Sequence, residues 1–254
     1  MKNGKKIICV IPARMGSYRF RDKPFVDICG KPMIEHVVRR AAMSPILDGV
    51  YVATPNREIA ERVEAFGGKA VMTADTHRRA SERVAEAARL LGGDADIIVN
   101  LQGDEPLVNP DMIERAVAPL LEDSSIPCVN LARRAGRAEA EDRNAVKVVF
   151  DRAWDALYFS REPIPSKWLG DKKFDVWVEV CVMPFTRESL QLYPRLEMTP
   201  LENIESIDML RWLEHGRKVR IVESPYETYS VDVPEDVEKV ARVMRSDPLL
   251  AQYA

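Results

Sequence analysis

Four cations follow the first apolar stretch of the chain at a spacing that suits phosphate binding. They lie within ten residues, in the polar loop after Pro12: Arg14, Arg19, Arg21 and Lys23. Arginine forks grip phosphate oxygens and lysine acts as a point charge, so the loop predicts a phosphate clamp. A solvated surface loop is the alternative, because the chain has neither a Walker A sequence nor G-x-G-x-x-G.

An acidic motif is the second candidate for chemistry. Residues 100–106 read N-L-Q-G-D-E-P and follow a continuous apolar stretch. We expect Gly103 to allow a sharp turn that presents Asp104, whose hard oxygens suit Mg²⁺ held between one or two carboxylates and substrate phosphates. The alternative is an acidic turn that caps the helix predicted after Pro110.

A second carboxylate occurs near the end of the chain, where residues 231–236 read V-D-V-P-E-D. Asp232 follows a strand-like stretch and is able to join Asp104 on the same metal ion. It also stands where a helix N-cap is expected, and spacing alone favours the cap.

The elements that must position these residues alternate in the first half. Short β-branched stretches predict strands at 6–12, 49–54, 69–72, 96–101 and 128–132, and helical periodicity predicts helices at 33–43, 58–66, 81–91 and 110–121. This alternation predicts βαβ units and a mostly parallel sheet, whose ligands bind beyond the carboxyl ends of the strands.

The second half has a less regular pattern. It predicts strands at 146–150, 156–159, 176–183 and 219–224 and helices at 206–215 and 235–244. No linker or repeat is present. We therefore predict one α/β domain over residues 1–254, with a nucleotide-binding half at about 6–140 and an elaborated half at about 141–245.

Composition excludes several classes of function. The 254 residues include 37 basic and 40 acidic side chains, a formal net charge of −3, which argues against general nucleic-acid binding. Residues 1–40 alone hold ten basic and three acidic side chains, so a local basic site remains. No stretch is long enough for a membrane span. The four scattered cysteines predict reduced thiols and a soluble, cytoplasmic protein.

Taken together, the motifs resemble those of the cytidylyltransferases that make CMP-activated sugar acids. The resemblance runs in order from about residue 6 to 245. It is carried by I-P-A-R at 11–14 with Ser17, Arg19 and Lys23-Pro24, by G-K-P-M-I at 30–34 with His36, and by the stretches at 100–106, 146–149, 156–165, 200–205 and 231–236.

The resemblance implies a Rossmann-like nucleotide-diphospho-sugar transferase fold, usually a homodimer, in which the second half binds the sugar and dimerises. It also implies roles for individual residues. The catalytic residues would be Arg14, Arg19, Lys23 and Asp104. The nucleotide would be bound by Ala13, Arg14, Ser17, Arg19, Lys23, Arg79 and Ser81. The sugar acid would be bound by Gln102, Arg161, Glu179, Glu202 and Glu205. Mg²⁺ would be held by Asp104 and Asp232.

The chain departs from the family pattern in three places. The family's H-x-S-G-T-[ED]-R has Arg79 and Ala80 at its centre, which weakens the inferred preference for cytosine; Arg79 is alternatively a surface cation. P-G-K-P becomes R-D-K-P at 21–24. The sugar-binding H-x-G-I-Y-x-Y is replaced by Glu179, Cys181, Met183 and Phe185. A carboxylate in place of the histidine suits an ammonium group, unless Glu179 points to solvent.

The resemblance therefore predicts a Mg²⁺-dependent enzyme that couples CTP to the anomeric hydroxyl of a sugar acid and releases pyrophosphate. The acceptor would be 3-deoxy-manno-octulosonate (Kdo) or a modified relative, including an amino-substituted one. Two alternatives stay open: a glycosyltransferase of similar fold, and a non-catalytic nucleotide-binding relative. The expected partners are these small molecules and a second copy of the chain, without nucleic acid or membrane.

Overall fold

A computed structural model describes residues 4–16, 20, 22–166, 168, 170 and 174–253. The strands are β1 (Ile7–Pro12), β2 (Asp27–Ile28), β3 (Lys31–Pro32), β4 (Gly49–Thr54), β5 (Ala70–Met72), β6 (Ile97–Leu101), β7 (Val129–Arg134), β8 (Lys147–Phe150), β9 (Ala156–Ser160), β10 (Trp177–Val180), β11 (Val182–Thr186) and β12 (Arg220–Glu223). The helices are α1 (Met33–Ala42), α2 (Arg57–Ala65), α3 (Ala80–Leu90), α4 (Pro110–Glu122), α5 (Arg137–Glu141), α6 (Arg187–Leu192), α7 (Pro200–Glu205), α8 (Asp208–Glu214) and α9 (Pro234–Arg245).

The first sheet has the order β11-β6-β1-β4-β5. Strands β6, β1, β4 and β5 are parallel, and β11 pairs antiparallel with β6. All five residues of β6 are buried, as expected of a strand that is covered on both faces. The predicted α/β fold with a mostly parallel central sheet is confirmed, and the carboxyl ends of β1 and β6 lie side by side at one edge of the sheet.

Helices α1 to α4 pack on the sheet through apolar faces. Pro110 begins α4, and the side chain of Asn109 caps it by accepting from the Asp111 backbone N–H at 3.0 Å. Asp104 is therefore not needed as a cap for this helix. Among the described residues, no helix is long and apolar enough to cross a membrane.

The second sheet has the order β12-β7-β10-β8-β9 and is mostly antiparallel. The single strand predicted over 176–183 is wrong, because the chain leaves this sheet at Cys181. Strand β10 pairs with β7 and β8, whereas β11 pairs with β6 of the first sheet. The sequence gives no sign of the change, because apolar residues continue from β10 into β11 with Glu179 as the one charged residue between 176 and 183.

The helix predicted over 206–215 begins later, at Asp208. Ser206 has a left-handed φ of 58°, which ends α7 and separates it from α8. Thr199 and Glu202 form a capping box at the start of α7, with Pro200 in its first turn. Residues 200–205 therefore form a short helix of their own.

Candidate active site

Lys23 lies between the two carboxylates that the sequence singled out. Its Nζ is 2.8 Å from Asp104 Oδ2 and 3.4 Å from Asp232 Oδ1. Burial opposes the charge on this ammonium, but the two carboxylates outweigh it and raise the pKa of Lys23. The structure thus brings together three predicted residues that are widely separated along the chain.

The backbone fixes both carboxylates. The Val231 N–H donates to the Asp104 carbonyl at 3.0 Å, which ties the segment before Asp232 to the end of β6. The N-cap of α9 is Val233, and the carboxylate of Asp236, in the first turn, accepts from the backbone N–H groups of Asp232 and Val233 at 2.8 and 3.0 Å. The alternative that Asp232 is the N-cap is therefore excluded.

Gly103 is needed for a different reason from the one expected. It does not have a positive φ. A Cβ at this position would lie 3.0 Å from the Pro12 carbonyl oxygen. The absence of a side chain therefore lets the segment before Asp104 pack against the end of β1, which is where the basic loop begins.

A cavity of about 570 Å³ opens beside this group of charges. Its wall includes Asp104, Asp232 and, of the residues predicted to bind the sugar acid, Gln102, Arg161 and Glu179. Among the described residues it includes nine acidic residues against three cationic ones, so this part of the wall is strongly acidic. The carboxylates are Asp104, Glu105, Glu139, Asp142, Glu179, Asp208, Glu227, Asp232 and Asp236, and the cations are Arg133, Arg161 and Lys239.

The segment that departs from the family pattern forms part of this wall. Glu179, Cys181 and Met183 line the cavity. Phe185 is fully buried instead and packs edge-on against Trp212. Gln102 is held beside the segment, since its backbone N–H donates to the Cys181 carbonyl at 3.2 Å.

Arg161 is positioned by Glu205 and Lys147. Its Nε donates to the Glu205 carbonyl at 2.7 Å, and the Glu205 carboxylate accepts from the Arg161 N–H at 2.9 Å and from the Ser160 hydroxyl at 2.8 Å. Glu205 is absent from the described cavity wall, and its contacts here position Arg161; the direct sugar contact stays a prediction.

Lys147 is a positioning residue that the sequence reading missed. It is fully buried, and its Nζ donates to the carbonyls of Asp142, Ala145 and Arg161 at 2.7, 2.7 and 2.5 Å. These three bonds fix the rim of the cavity. The position of this lysine within the apolar strand at 147–150 could have indicated its role, because a buried ammonium requires hydrogen-bond acceptors around it.

The residues predicted to hold the nucleotide lie at the end of β1. The Ala13 N–H continues the parallel ladder by donating to the Ala53 carbonyl at 2.9 Å, and the next side chain, Arg14, is exposed. Ser17 and Arg19 lie outside the described residues, as does Arg21. Their roles stay predictions.

Arg79 and Glu202 are used differently from the prediction. The Glu202 side chain is fully buried and accepts from Arg79 Nε at 3.0 Å and from Arg211 Nε at 2.7 Å. Arg79 also donates to the Ser206 hydroxyl and to the Glu202 carbonyl. We therefore correct both assignments, because these contacts join α3 to α7 and leave the Glu202 carboxylate inaccessible to a substrate.

Ser81 is also a structural residue and not a nucleotide contact. It is fully buried at the start of α3, its N–H donates to Asp208 Oδ2 at 2.9 Å, and its hydroxyl accepts from Asn100 Nδ2 at 3.3 Å. Burial leaves the Ser81 hydroxyl out of reach of a nucleotide, although the preceding residue, Ala80, lines the cavity.

Glu105 is the buried acid next to the candidate centre. Burial, and then the charges of Asp104 and Asp232, raise the pKa of Glu105 to about 8. The concentration of negative charge at this point favours a cation. The sequence indicated Asp104 within the same motif but gave no separate signal for its neighbour.

Asp104 and Asp232 fit a divalent metal ion of the kind predicted. Both carboxylates contact one ammonium, that of Lys23, so their oxygens converge on a common cationic position. Within the described ranges, no group of three or more His, Cys, Asp and Glu side chains forms a metal site. Two carboxylates that leave room for substrate phosphate oxygens match the way Mg²⁺ is usually bound.

Comparisons with known proteins agree with this chemistry. Residues 8–248 match the family model described as cytidylyltransferase. A protein from Syntrophobacter fumaroxidans called 3-deoxy-manno-octulosonate cytidylyltransferase is 45% identical over 245 residues, covering 95% of this chain and 98% of that protein. One of the same name from Geobacter metallireducens is 44% identical over 246 residues, covering 92% and 96%.

Solved structures give the same result for the fold. CMP:2-keto-3-deoxy-manno-octonic acid synthetase complexed with CTP superposes with a TM-score of 0.88 at 38% identity, covering 94% of this chain and 98% of that one. The 4-diphosphocytidyl-2C-methyl-D-erythritol synthase of Anaerococcus prevotii has a TM-score of 0.65 at 16% identity, covering 95% of this chain and 97% of that one, a likeness of fold alone.

Proposed function

The chain belongs to the cytidylyltransferase family, and from that premise we propose that it activates a sugar acid of the Kdo type by forming its CMP derivative from CTP. It is a nucleotidyltransferase. The observation that carries the proposal is the convergence of Lys23, Asp104 and Asp232 at the edge of an acidic cavity. A product of this kind serves lipopolysaccharide biosynthesis, which consumes activated Kdo.

The reaction needs positioning and charge neutralisation more than covalent catalysis. The anomeric hydroxyl oxygen of the sugar acid forms a bond to the α-phosphorus of CTP. The bond from that phosphorus to the bridging oxygen breaks, pyrophosphate leaves with the electron pair, and the hydroxyl proton goes to water. We assign no dedicated general base.

Different residues of the chain would neutralise the phosphates, orient the sugar acid and hold the metal ion. Lys23 and Arg14 would neutralise the triphosphate, joined by Arg19, which lies outside the described residues. Gln102 and Arg161 would orient the sugar acid from the cavity wall. Asp104 and Asp232 would hold Mg²⁺, which supplies Lewis-acid polarisation of the α-phosphate when bound.

The glycosyltransferase alternative lacks support from the described structure. Such enzymes more often handle a diphosphate through a D-x-D motif at the end of a strand. The D-x-D here, at residues 94–96, precedes β6. The Lys6 ammonium contacts Asp94 at 2.8 Å, and the Lys6 N–H donates to Asp96 Oδ2 at 2.8 Å. These carboxylates therefore lie at the opposite end of the strand from Asp104.

Pyrophosphate release from CTP, Mg²⁺ and Kdo tests the proposal, with ATP, GTP and UTP as competing nucleotides. We expect release with CTP and at least tenfold slower release with the other three. Consumption of a preformed nucleotide sugar, without pyrophosphate release from CTP, would indicate a glycosyltransferase instead. CTP binding without turnover of any acid would indicate a non-catalytic relative.

We also propose that the enzyme is a homodimer, as the resemblance implies, and that it is cytoplasmic, as its cysteine content predicts. Two large apolar side chains support the dimer: Leu157 on β9 is 62% exposed and Ile204 on α7 is 77% exposed. The two side chains lie on neighbouring segments, because the Tyr158 hydroxyl, next to Leu157, donates to the Glu205 carboxylate, next to Ile204, at 3.3 Å. Light scattering of the purified protein, with Ile204→Glu as the dissociating variant, tests the dimer.

A further inference from the structure

Glu179 is a carboxylate of the cavity wall that has no ion-pair partner among the described residues. Its backbone N–H donates to the Val146 carbonyl at 2.7 Å, which fixes the position of the residue on β10. The side chain is half-buried and lines the cavity. Its carboxylate makes no hydrogen bond or ion pair with any residue in the described part of the chain.

Two neighbouring charges act on the Glu179 carboxylate. Asp208, at the start of α8, lies close enough to repel it, and Arg161 lies close enough to attract it. Burial and the charge of Asp208 outweigh Arg161 and raise the pKa of Glu179 to about 7. The protonated form of Glu179 is therefore favoured in the empty cavity, and a bound cation would favour the charged form instead.

The two guanidinium groups of the cavity wall already bind other acceptors. Arg161 donates from Nε to the Glu205 carbonyl and from Nη1 to the Arg143 carbonyl at 3.1 Å. Arg133 pairs with Glu139 and, at 3.3 Å, with Glu227. Neither guanidinium makes an ion pair with Glu179.

Cys181 shows which part of a substrate would meet Glu179. Its carbonyl accepts from the backbone N–H of Gln102, two residues before Asp104, at 3.2 Å, and Glu179 lies two residues before Cys181 on β10. Cys181 therefore joins the segment that carries Glu179 to the end of β6 that presents Asp104. In a 2-keto sugar acid the reacting hydroxyl and the acid group share one carbon. The acid group therefore stays at the Asp104 end, and Glu179 faces a more distant substituent.

We propose that the acceptor is an amino-substituted sugar acid, and that Glu179 selects it by binding its ammonium group. A hydroxyl would donate one hydrogen bond to Glu179 without changing the charge. An ammonium donates charge-assisted bonds and neutralises a half-buried carboxylate that is otherwise unfavourable. This inference rests on the proposed function and specifies its substrate.

Three acceptors separate charge from size. They are Kdo, Kdo derivatives in which one hydroxyl is replaced by a primary amine, and the N-acetyl forms of those amines, which keep the nitrogen without its charge. We expect a kcat/KM for pyrophosphate release at least tenfold higher with one of the amines than with Kdo or with the matching N-acetyl compound.

Two variants test the residue itself. Glu179→Gln keeps the shape of the side chain and removes its charge, so kcat/KM for the amine should fall about tenfold while that for Kdo does not fall. Glu179→His supplies the residue of the family pattern and should shift preference towards Kdo. The matched control is Glu64→Gln, an exposed carboxylate on α2, which should leave the preference unchanged.

The outcomes separate this inference from the proposed function. Equal kcat/KM for Kdo and every amine in the natural protein overturns the inference and leaves the cytidylyltransferase activity standing. The same holds if Glu179→Gln and Glu179→His both fold, as judged by circular dichroism, and both keep the preference. If CTP binds but no acid releases pyrophosphate, the proposed function itself is contradicted, and the inference with it.

Discussion

Lys23 Nζ donates to Asp104 Oδ2 at 2.8 Å, across 81 residues of sequence, and the same nitrogen reaches Asp232 a further 128 residues along. The contact joins the basic loop to the acidic end of β6. A triphosphate is negatively charged and its metal ion is positively charged. The Lys23 ammonium can therefore pair with the phosphates, and the two carboxylates with the metal ion. The first prediction follows from this contact.

Replacing Lys23 by methionine should lower kcat for cytidylyl transfer about 100-fold. The side chain keeps its apolar length but loses the charge that stabilises the leaving phosphates, and loss of one such preorganised group typically costs that much. Steady-state pyrophosphate release measures the effect. Lys69→Met, a change at an exposed lysine, is the control and should leave kcat within about twofold; a similar loss in both variants would contradict the assignment.

Replacing Glu202 by alanine should destabilise the fold and not act on substrate binding. It removes the shared partner of Arg79 and Arg211, and breaking a buried ion pair costs about 3–5 kcal/mol. Thermal or denaturant unfolding measures the loss, and KM of the folded fraction should stay unchanged. A large rise in KM at full stability would restore the substrate-binding role that we have corrected.

Replacing Gly103 by alanine should reduce activity more than stability. The new Cβ would lie 3.0 Å from the Pro12 carbonyl oxygen, so the backbone before Asp104 must move. Overpacking of this kind costs about 1–3 kcal/mol, and the displaced carboxylate should lower kcat at least tenfold. Gly136→Ala meets nothing within 4 Å and is the matched control. Equal kcat in the two variants would refute the argument.

Replacing Lys147 by methionine should weaken binding of the sugar acid. Three carbonyls at the rim of the cavity lose their common donor, and the loop that carries Arg161 loses one attachment. We expect KM for the acid to rise at least fivefold while KM for CTP changes less than twofold. Equal rises in both constants would indicate general unfolding instead.

Stability should depend on pH through Glu179. Burial raises the pKa of this carboxyl from its ordinary value of 4.5 to about 7 in the folded state. The folded state then holds the proton more tightly than the unfolded state, so this contribution is fully present below pH 4.5 and is lost as pH rises through 7. Between pH 5 and 8 the unfolding free energy of Glu179→Gln should fall less than that of the natural protein, measured in urea without substrates.

The site residues that the sequence predicted correctly are those that directly follow strands with a clear hydrophobic pattern. Asp104 follows β6, whose apolar run is unambiguous, and parallel strands bring their carboxyl ends to one edge. Asp232 was ambiguous, because a residue before Pro234 fits an N-cap equally well by spacing. Only the hydrogen bonds from Asp232 and Val233 to Asp236 resolved the choice.

The errors concern contacts between distant segments. Nothing local to Glu202 indicates that two arginines, one of them 123 residues away, meet at its carboxylate. The strand predicted over 176–183 was wrong for a similar reason, because hydrophobic pattern reports burial and does not report which sheet supplies the partner. Such contacts depend on the whole fold, which a single sequence pattern does not contain.

The change of sheet at Cys181 limits how the protein can move. One residue separates β10 from β11, and β11 is also attached near its far end, where the Thr186 N–H donates to the Pro127 carbonyl at 3.0 Å just before β7. A hinge between the sheets would have to break this connection. We therefore expect local adjustments of loops and side chains to contribute more to substrate capture than movement of one sheet against the other.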